Sequence, residues 1–407
     1  MINRKKYLGL WIIKLQKMDK ESKLLLIDDI FTPSSPIENI ELFSGREGQI
    51  NAIKEAIREK GQHAIMHGLR GAGKTSLANM TLFLFKNLMS LKITCNREDT
   101  FNSVWERALR KIRFVQTDKT VGFISTDKTD VFPIELPAKD MISPTEIEQI
   151  LINIPGNMLF VFDEFDMIKS KKVKSQMADM IKLVSDNLPH VTILIVGIAE
   201  SIDELIGEHP SIERCMKQIE LPLMNNLEAK DMVLQNLSYL KMGIDEQVLF
   251  KIIDTASGFP NYLHLLCKHA ARIAVLENKE QIVLKHFDEA VLKSIENSDY
   301  TLKKTYQIAV KSSGTKNRFA DVLLACALAD ADNRNSFNTD DVLEKYNRIT
   351  GTLHKKESIH YHLGMLCKKE RSEILIKSRK SKTTRYKFSK PLIKAFVKLK
   401  QHEEKIK

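Results

Sequence analysis

Five short apolar runs interrupt a chain that otherwise keeps helical spacing: residues 64–66, 91–95, 159–162, 191–196 and 218–221. Each is too short for an amphipathic helix and fits a buried strand. Helix-period stretches lie between them, at 42–57, 76–84 and 101–112. Strands alternating with helices predict an α/β fold around a parallel sheet. From 226 to 297 the pattern becomes wholly helical, over 227–240, 244–256, 261–276 and 284–295, with a break at Ser257-Gly258-Phe259-Pro260. It changes again near 315. Helices over 318–329, 340–346 (Thr339 as N-cap) and 358–369 precede two alternating runs, 373–377 and 385–388. Three helices and a hairpin predict a winged helix-turn-helix.

The ends of the pattern carry less. Residues 1–25 predict a short amphipathic helix, or an extension ahead of a start at Met18, and 33–36 a Pro-Ser linker. The polar stretch 116–143 reads as a surface insertion. The predicted organisation is 1–36 extension and linker, 37–222 nucleotide-binding core, 223–300 helical lid and 301–407 basic C-terminal domain.

Charge changes this picture more than composition does. The 407 residues carry a net charge of +11. Residues 301–407 hold 25 Lys and Arg against 11 Asp and Glu, while the first 300 hold 38 against 41. The whole basic excess is therefore C-terminal, as expected of a domain that meets polyanions. The five cysteines are scattered with no C-x-x-C pair, which argues against a zinc site or a disulfide framework and suits a reducing cytoplasmic setting. No apolar run approaches a membrane span.

The chemistry concentrates after the first strand. Gly68-Leu69-Arg70-Gly71-Ala72-Gly73-Lys74-Thr75 fits G-x-x-x-x-G-K-[ST], with Ser76 opening the next helix. The glycines let backbone N–H groups wrap phosphate oxygens, Lys74 brings charge to the β/γ-phosphates, and the Thr75 hydroxyl ligates Mg²⁺. The run Leu42–Ile50, containing Arg46, is placed to flank the base. Leu159-Phe160-Val161-Phe162-Asp163-Glu164 delivers two carboxylates at a strand's C-terminal edge, Asp163 for the metal and Glu164 for the attacking water. Asp166 is expected at the surface or as a helix cap. Glu200 and Ser201, beyond the strand 191–197, are candidates for the γ-phosphate or the water. No Asn-Lys-x-Asp guanine-reading motif appears, so ATP is favoured over GTP.

These elements, in this order, resemble the AAA+ P-loop ATPases of the origin-recognition and helicase-loader type, over about residues 37–400. By that resemblance Lys74 and Thr75 are the Walker A residues, Asp163 and Glu164 the Walker B pair, and Glu200 stands at the sensor position. Arg214 falls where the family places an arginine finger that reaches a neighbouring subunit. One departure is visible. The lid text lacks the arginine that many members carry after Ser-Gly. Its Gly-x-Pro form looks more like signal-transducing ATPases with numerous domains, in which the region of Pro260 contacts the nucleotide.

The resemblance implies an ATP-hydrolysing switch that assembles as a homo-oligomer through its ATPase domain and binds duplex DNA. His360 and His362 on the third helix, Lys355 just ahead of it, and Arg379, Lys380, Lys382 and Arg385 at the hairpin, are the DNA candidates. The alternative is a signalling ATPase, for example in phage defence, whose winged helix docks a protein effector.

Overall fold

In the computed structural model, strand residues of alternating parity separate into two apolar cores. The described residues are 19–36, 42–85, 87–118, 128–133, 142–199, 202–206, 210–312, 317–332, 335–380 and 383–406. Five strands, β1 (His63–His67), β2 (Met89–Thr94), β5 (Met158–Asp163), β6 (Val191–Gly197) and β7 (Met216–Glu220), form a parallel sheet in the order β2-β5-β6-β1-β7. Between β2 and β5 the chain forms an antiparallel ribbon, β3 (Arg113–Asp118) and β4 (Lys128–Pro133), part of it inside the stretch expected as an insertion.

Side chains alternate across a strand, so a sheet covered on both faces must be apolar at every position. β5 meets this with all six residues buried. Phe160 and Phe162 point to one face, where Trp105 packs 5.2 Å from each ring. Leu159 and Val161 point to the other, against Ile53, Ala56, Leu77 and Ala78.

The helices are α1 (Lys20–Ile30), α2 (Glu47–Arg58), α3 (Lys74–Leu84), α4 (Phe101–Leu109), α5 (Pro144–Ile152), α6 (Lys171–Asn187) and α7 (Ile202–Ile206) up to the last sheet strand. Helices α2 and α3 cover one face, and α4, α5 and α6 the other. Helix α5 starts on a reciprocal cap, in which Ser143 and Glu146 satisfy each other's backbone N–H with Pro144 in the first turn.

The lid comprises α8 (Asn226–Tyr239), α9 (Glu246–Ala256), α10 (Pro260–Leu276) and α11 (Leu284–Glu296), with a two-residue parallel pair, β8 (Gly243–Ile244) and β9 (Gln281–Ile282). Beyond it lie α12 (Tyr300–Val310), α13 (Arg318–Leu328), β10 (Phe337–Asn338), α14 (Thr339–Thr350), α15 (Glu357–Leu366), β11 (Leu375–Lys380), β12 (Thr383–Phe388) and α16 (Ile393–Ile406). The last three strands make an antiparallel sheet in the order β10-β12-β11.

The helix α16 was not foreseen. Its Ile393, Phe396, Val397 and Leu399 are buried, and its Lys398 Nζ donates to the Asp254 carbonyl and carboxylate, at 2.8 and 2.7 Å, at the end of α9. Lid, α1 and C-terminal elements consequently share one continuous apolar core.

Candidate nucleotide site

The site forms at the C-terminal edge of the parallel sheet, where β1 passes into α3 through the glycine loop. Gly68 (φ 153°), Gly71 (φ 87°) and Gly73 (φ 95°) all have positive φ. At Gly68 space also forbids a side chain, since a Cβ would lie 2.3 Å from the Leu221 carbonyl oxygen. The loop thus presents backbone at the start of α3, whose first N–H groups lack intrahelical partners and favour anions.

Lys74 is 8% exposed and its Nζ donates to the loop's own carbonyls, Gly68 at 2.9 Å and Leu69 at 2.8 Å. Burial lowers its pKa to about 8, opposed by the nearby carboxylates of Asp166 and Asp163. The lysine is held against the phosphate loop by bonds that a phosphate can replace.

β5 delivers the acidic pair. Asp163 is buried, and its Oδ1 accepts the Glu164 N–H at 2.9 Å. Its Oδ2 lies 3.0 Å from Lys92 Nζ, an electrostatic contact not aligned as a hydrogen bond. Lys92 Nζ also donates to Asn79 Oδ1 at 2.7 Å. Glu164 is exposed and adopts a left-handed conformation (φ 55°, ψ 35°), a strained choice for a non-glycine residue that turns its side chain out of the strand.

Asp166 departs from expectation. Rather than serving as a surface or cap residue, it lines the cleft and its Oδ1 accepts the Ile198 N–H at 2.8 Å, tying the turn after β5 to the end of β6. Gly197 permits this approach, because a Cβ there would meet Leu205 at 2.5 Å and Asp166 at 3.2 Å.

Around these groups is a cleft of about 650 Å³, lined by Gly71, Lys74, Thr75, Asp163, Glu164 and Pro260 among others. Pro260 begins α10 beside the loop, its Cγ 3.8 Å from where a Gly73 Cβ would stand. Arg46, buried and left-handed (φ 68°), pairs with Glu228 of α8 at 3.6 Å and reaches the Ala72 carbonyl at 3.5 Å. It ties loop to lid. Residues 33–36, expected as a linker, instead line the cleft together with Thr32, whose N–H donates to His264 Nδ1 of α10 at 3.2 Å.

The donor set suits Mg²⁺. A threonine hydroxyl and a buried carboxylate are hard oxygen ligands, and a magnesium site of this kind uses one or two protein groups plus substrate phosphates. Among the described residues no group of three or more His, Cys, Asp or Glu gathers to hold a metal without help. Thr75 and Asp163 are the residues that would hold the ion.

The other candidates disperse. Glu200, Ser201 and Lys382 lie outside the described residues. Arg214 sits in the 3₁₀ turn Pro210–Cys215 before β7, largely exposed and paired with Asp186 at 3.0 Å. It is at the opposite edge of the sheet from the phosphate loop, because His63 pairs with Met216 and His67 with Glu220. Lys355 and His360 are exposed. His362 meets Phe319 edge-on at 4.8 Å between ring centres and donates from Nδ1 to the Ser358 carbonyl, and burial lowers its pKa. Arg385 donates to the Ser336 carbonyl at 2.7 Å and pairs with Asp332 at 3.1 Å. Arg379 and Lys380 occupy the last positions of β11.

A parallel sheet that brings a glycine loop, a buried lysine and an acidic strand end into one cleft is the apparatus of a P-loop NTPase. A family model described as Novel STAND NTPase 1 matches residues 36–330, and the chain belongs to that family. Among solved structures, it is similar to the Walker-type ATPase PABY2304 of Pyrococcus abyssi (15% identity, TM-score 0.52, 92% of this chain and 99% of that one). It is also similar to the Aeropyrum pernix ORC2 protein (13%, 0.49, 93% and 98%) and ORC1 protein in complex with DNA (16%, 0.44, 95% and 98%). No curated protein matches the chain in sequence. Among the described residues no helix is long and apolar enough to cross a membrane.

Proposed function

We propose that the protein is an ATP-hydrolysing molecular switch that works with Mg²⁺, assembles through its ATPase domain and binds duplex DNA through its basic C-terminal domain. One observation carries the enzymatic part: Lys74, Asp163 and Glu164, from two separate strand ends, line a single cleft with the glycine loop. Mg²⁺, which Thr75 and Asp163 would hold, would supply positive charge to offset that of the triphosphate. The chain's own contribution is positioning and charge. Loop N–H groups and Lys74 hold the phosphates, and Glu164 orients the attacking water and accepts its proton.

The helix order α13, α14, α15 followed by the β11–β12 hairpin supports a winged-helix reading, with α15 as the groove-entering helix. Because the Arg385 guanidinium and the His362 ring are engaged within the protein, phosphate contacts rest on Arg379, Lys380, Lys382, Lys355 and His360. Fluorescence anisotropy with labelled duplex across a salt series tests this. Affinity should fall steeply with salt, and changing Arg379, Lys380 and Lys382 together to alanine should flatten the slope by up to about three units. Absence of binding at low salt with ATP present would reject the DNA arm. ATP turnover measured with and without duplex tests coupling, and light scattering with ATP tests assembly.

A second reading has its own support. Leu353 is 94% exposed just ahead of α15, and Tyr361 on it is 64% exposed. Apolar side chains held out on the recognition face suit a protein effector. Assembly with ATP and no affinity for DNA would favour it.

A further inference from the structure

Asp163 lies almost entirely out of water, and burying a lone carboxylate is costly unless a cation accompanies it. The protein supplies one. Lys92 is on β2, next to β5 in the sheet, with Lys92 opposite Val161 and Thr94 opposite Asp163. From there its ammonium reaches Asp163 Oδ2 at 3.0 Å, with side-chain exposures of 16% and 3%. Its position is fixed from the other side by Asn79 Oδ1 at 2.7 Å. Asn79 is four residues after Thr75 on α3, so the two share a helix face. The chain Asn79–Lys92–Asp163 thus stands behind the hydroxyl and the carboxylate that would share a divalent ion.

We infer that Lys92 is a positioning residue that acts as the resident counter-charge of Asp163, allowing the cleft to retain a nucleoside triphosphate with or without a divalent cation. Without this ammonium, the Asp163 carboxylate faces the triphosphate, whenever metal is absent, as a like charge offset only by Lys74, which the phosphates themselves engage. With it, the divalent ion is left mainly with the chemical step, and it competes with Lys92 for Asp163. The inference rests on reading the cleft as the nucleotide site.

The test is binding of fluorescent mant-ATP to the full chain, in EDTA and in saturating Mg²⁺, with no turnover needed. The unaltered protein should show affinities within roughly tenfold of each other in the two buffers. Lys92→Met should lose roughly tenfold or more in EDTA, change little in Mg²⁺, and reach half-saturation at lower Mg²⁺ concentration. Lys92→Arg should restore binding in EDTA. Asn79→Ala, which frees the lysine without deleting it, should shift the same way by less, and it carries the test if Lys92→Met does not fold. Equal losses in both buffers, no change in either, or failure of Lys92→Arg to rescue would overturn the inference while leaving the nucleotide site standing. No binding by the unaltered chain in either buffer would overturn both.

Discussion

Leu392 lies over Gly71. A Cβ added to the glycine would stand 3.2 Å from Leu392 Cδ2 and 3.4 Å from Phe259 Cδ1, so residues from the C-terminal end and the lid meet on the phosphate loop. Beside this contact is a cleft of about 580 Å³ between the loop residues Gly68–Arg70 and the segment Phe388–Leu392. Leu392→Asp should break the contact by setting a charge against the apolar cluster that contains Phe259. Release of mant-nucleotide, followed by stopped flow, should accelerate roughly tenfold. An unchanged release rate would show that the contact does not restrain the nucleotide.

Lys74 gives a pH dependence whose sign is fixed. Its folded pKa of about 8 lies below the unbound lysine value of 10.5, with burial as the cause. The unfolded chain therefore holds the extra proton between these values, and the group's contribution to stability rises as pH climbs from about 8 towards 10.5. Lys74→Ala should remove this slope from thermal melting curves without lowering stability at neutral pH. It should also abolish nucleotide binding. In the unaltered protein, phosphates favour the ammonium again, so binding at pH 9 should take up a proton. Calorimetry in two buffers of different ionisation enthalpy measures that uptake.

Glu164 combines an exposed carboxylate with a left-handed backbone. Glu164→Gly should relieve strain of about 1 kcal/mol and raise the melting temperature while ending hydrolysis. Glu164→Gln should keep the strain and the binding, and lower turnover about 10²-fold or more by removing the base. Normal turnover in either variant would move the catalytic base elsewhere.

Arg214 cannot serve its own site, because a five-residue strand of roughly 15 Å separates its edge of the sheet from the loop. Acting in trans, it should let Arg214→Ala and Lys74→Ala complement each other when mixed, recovering part of a loss of about 10³-fold. Both variants must still assemble by light scattering. Persistent inactivity in every mixture would leave Arg214 as the partner of Asp186 and nothing more.

The phosphate loop and the acidic strand end were legible because their chemistry needs contiguous residues, from Gly68 to Ser76 and from Leu159 to Glu164. The lid and the C-terminal helices were legible from periodicity. What escaped depends on contacts between distant residues. Asp166 looks like any turn acid until the fold sets it beside Ile198, and Lys92 like any strand lysine until β2 lies next to β5. Helix α6 was missed although Val173, Met177, Met180, Ile181 and Val184 mark its buried stripe, because lysines dilute it. Residues 33–36 have linker composition, and only the docking of α1 on the lid brings them over the cleft.

That docking makes the upstream chain a mechanical input. Asp28 of α1 is clamped by Lys268 at 3.1 Å and Arg272 at 2.8 Å, both on α10, and the next turn hands Thr32 to His264 on the same helix. A displacement of α1 along α10 would therefore carry Thr32–Pro36 with it at the rim of the cleft.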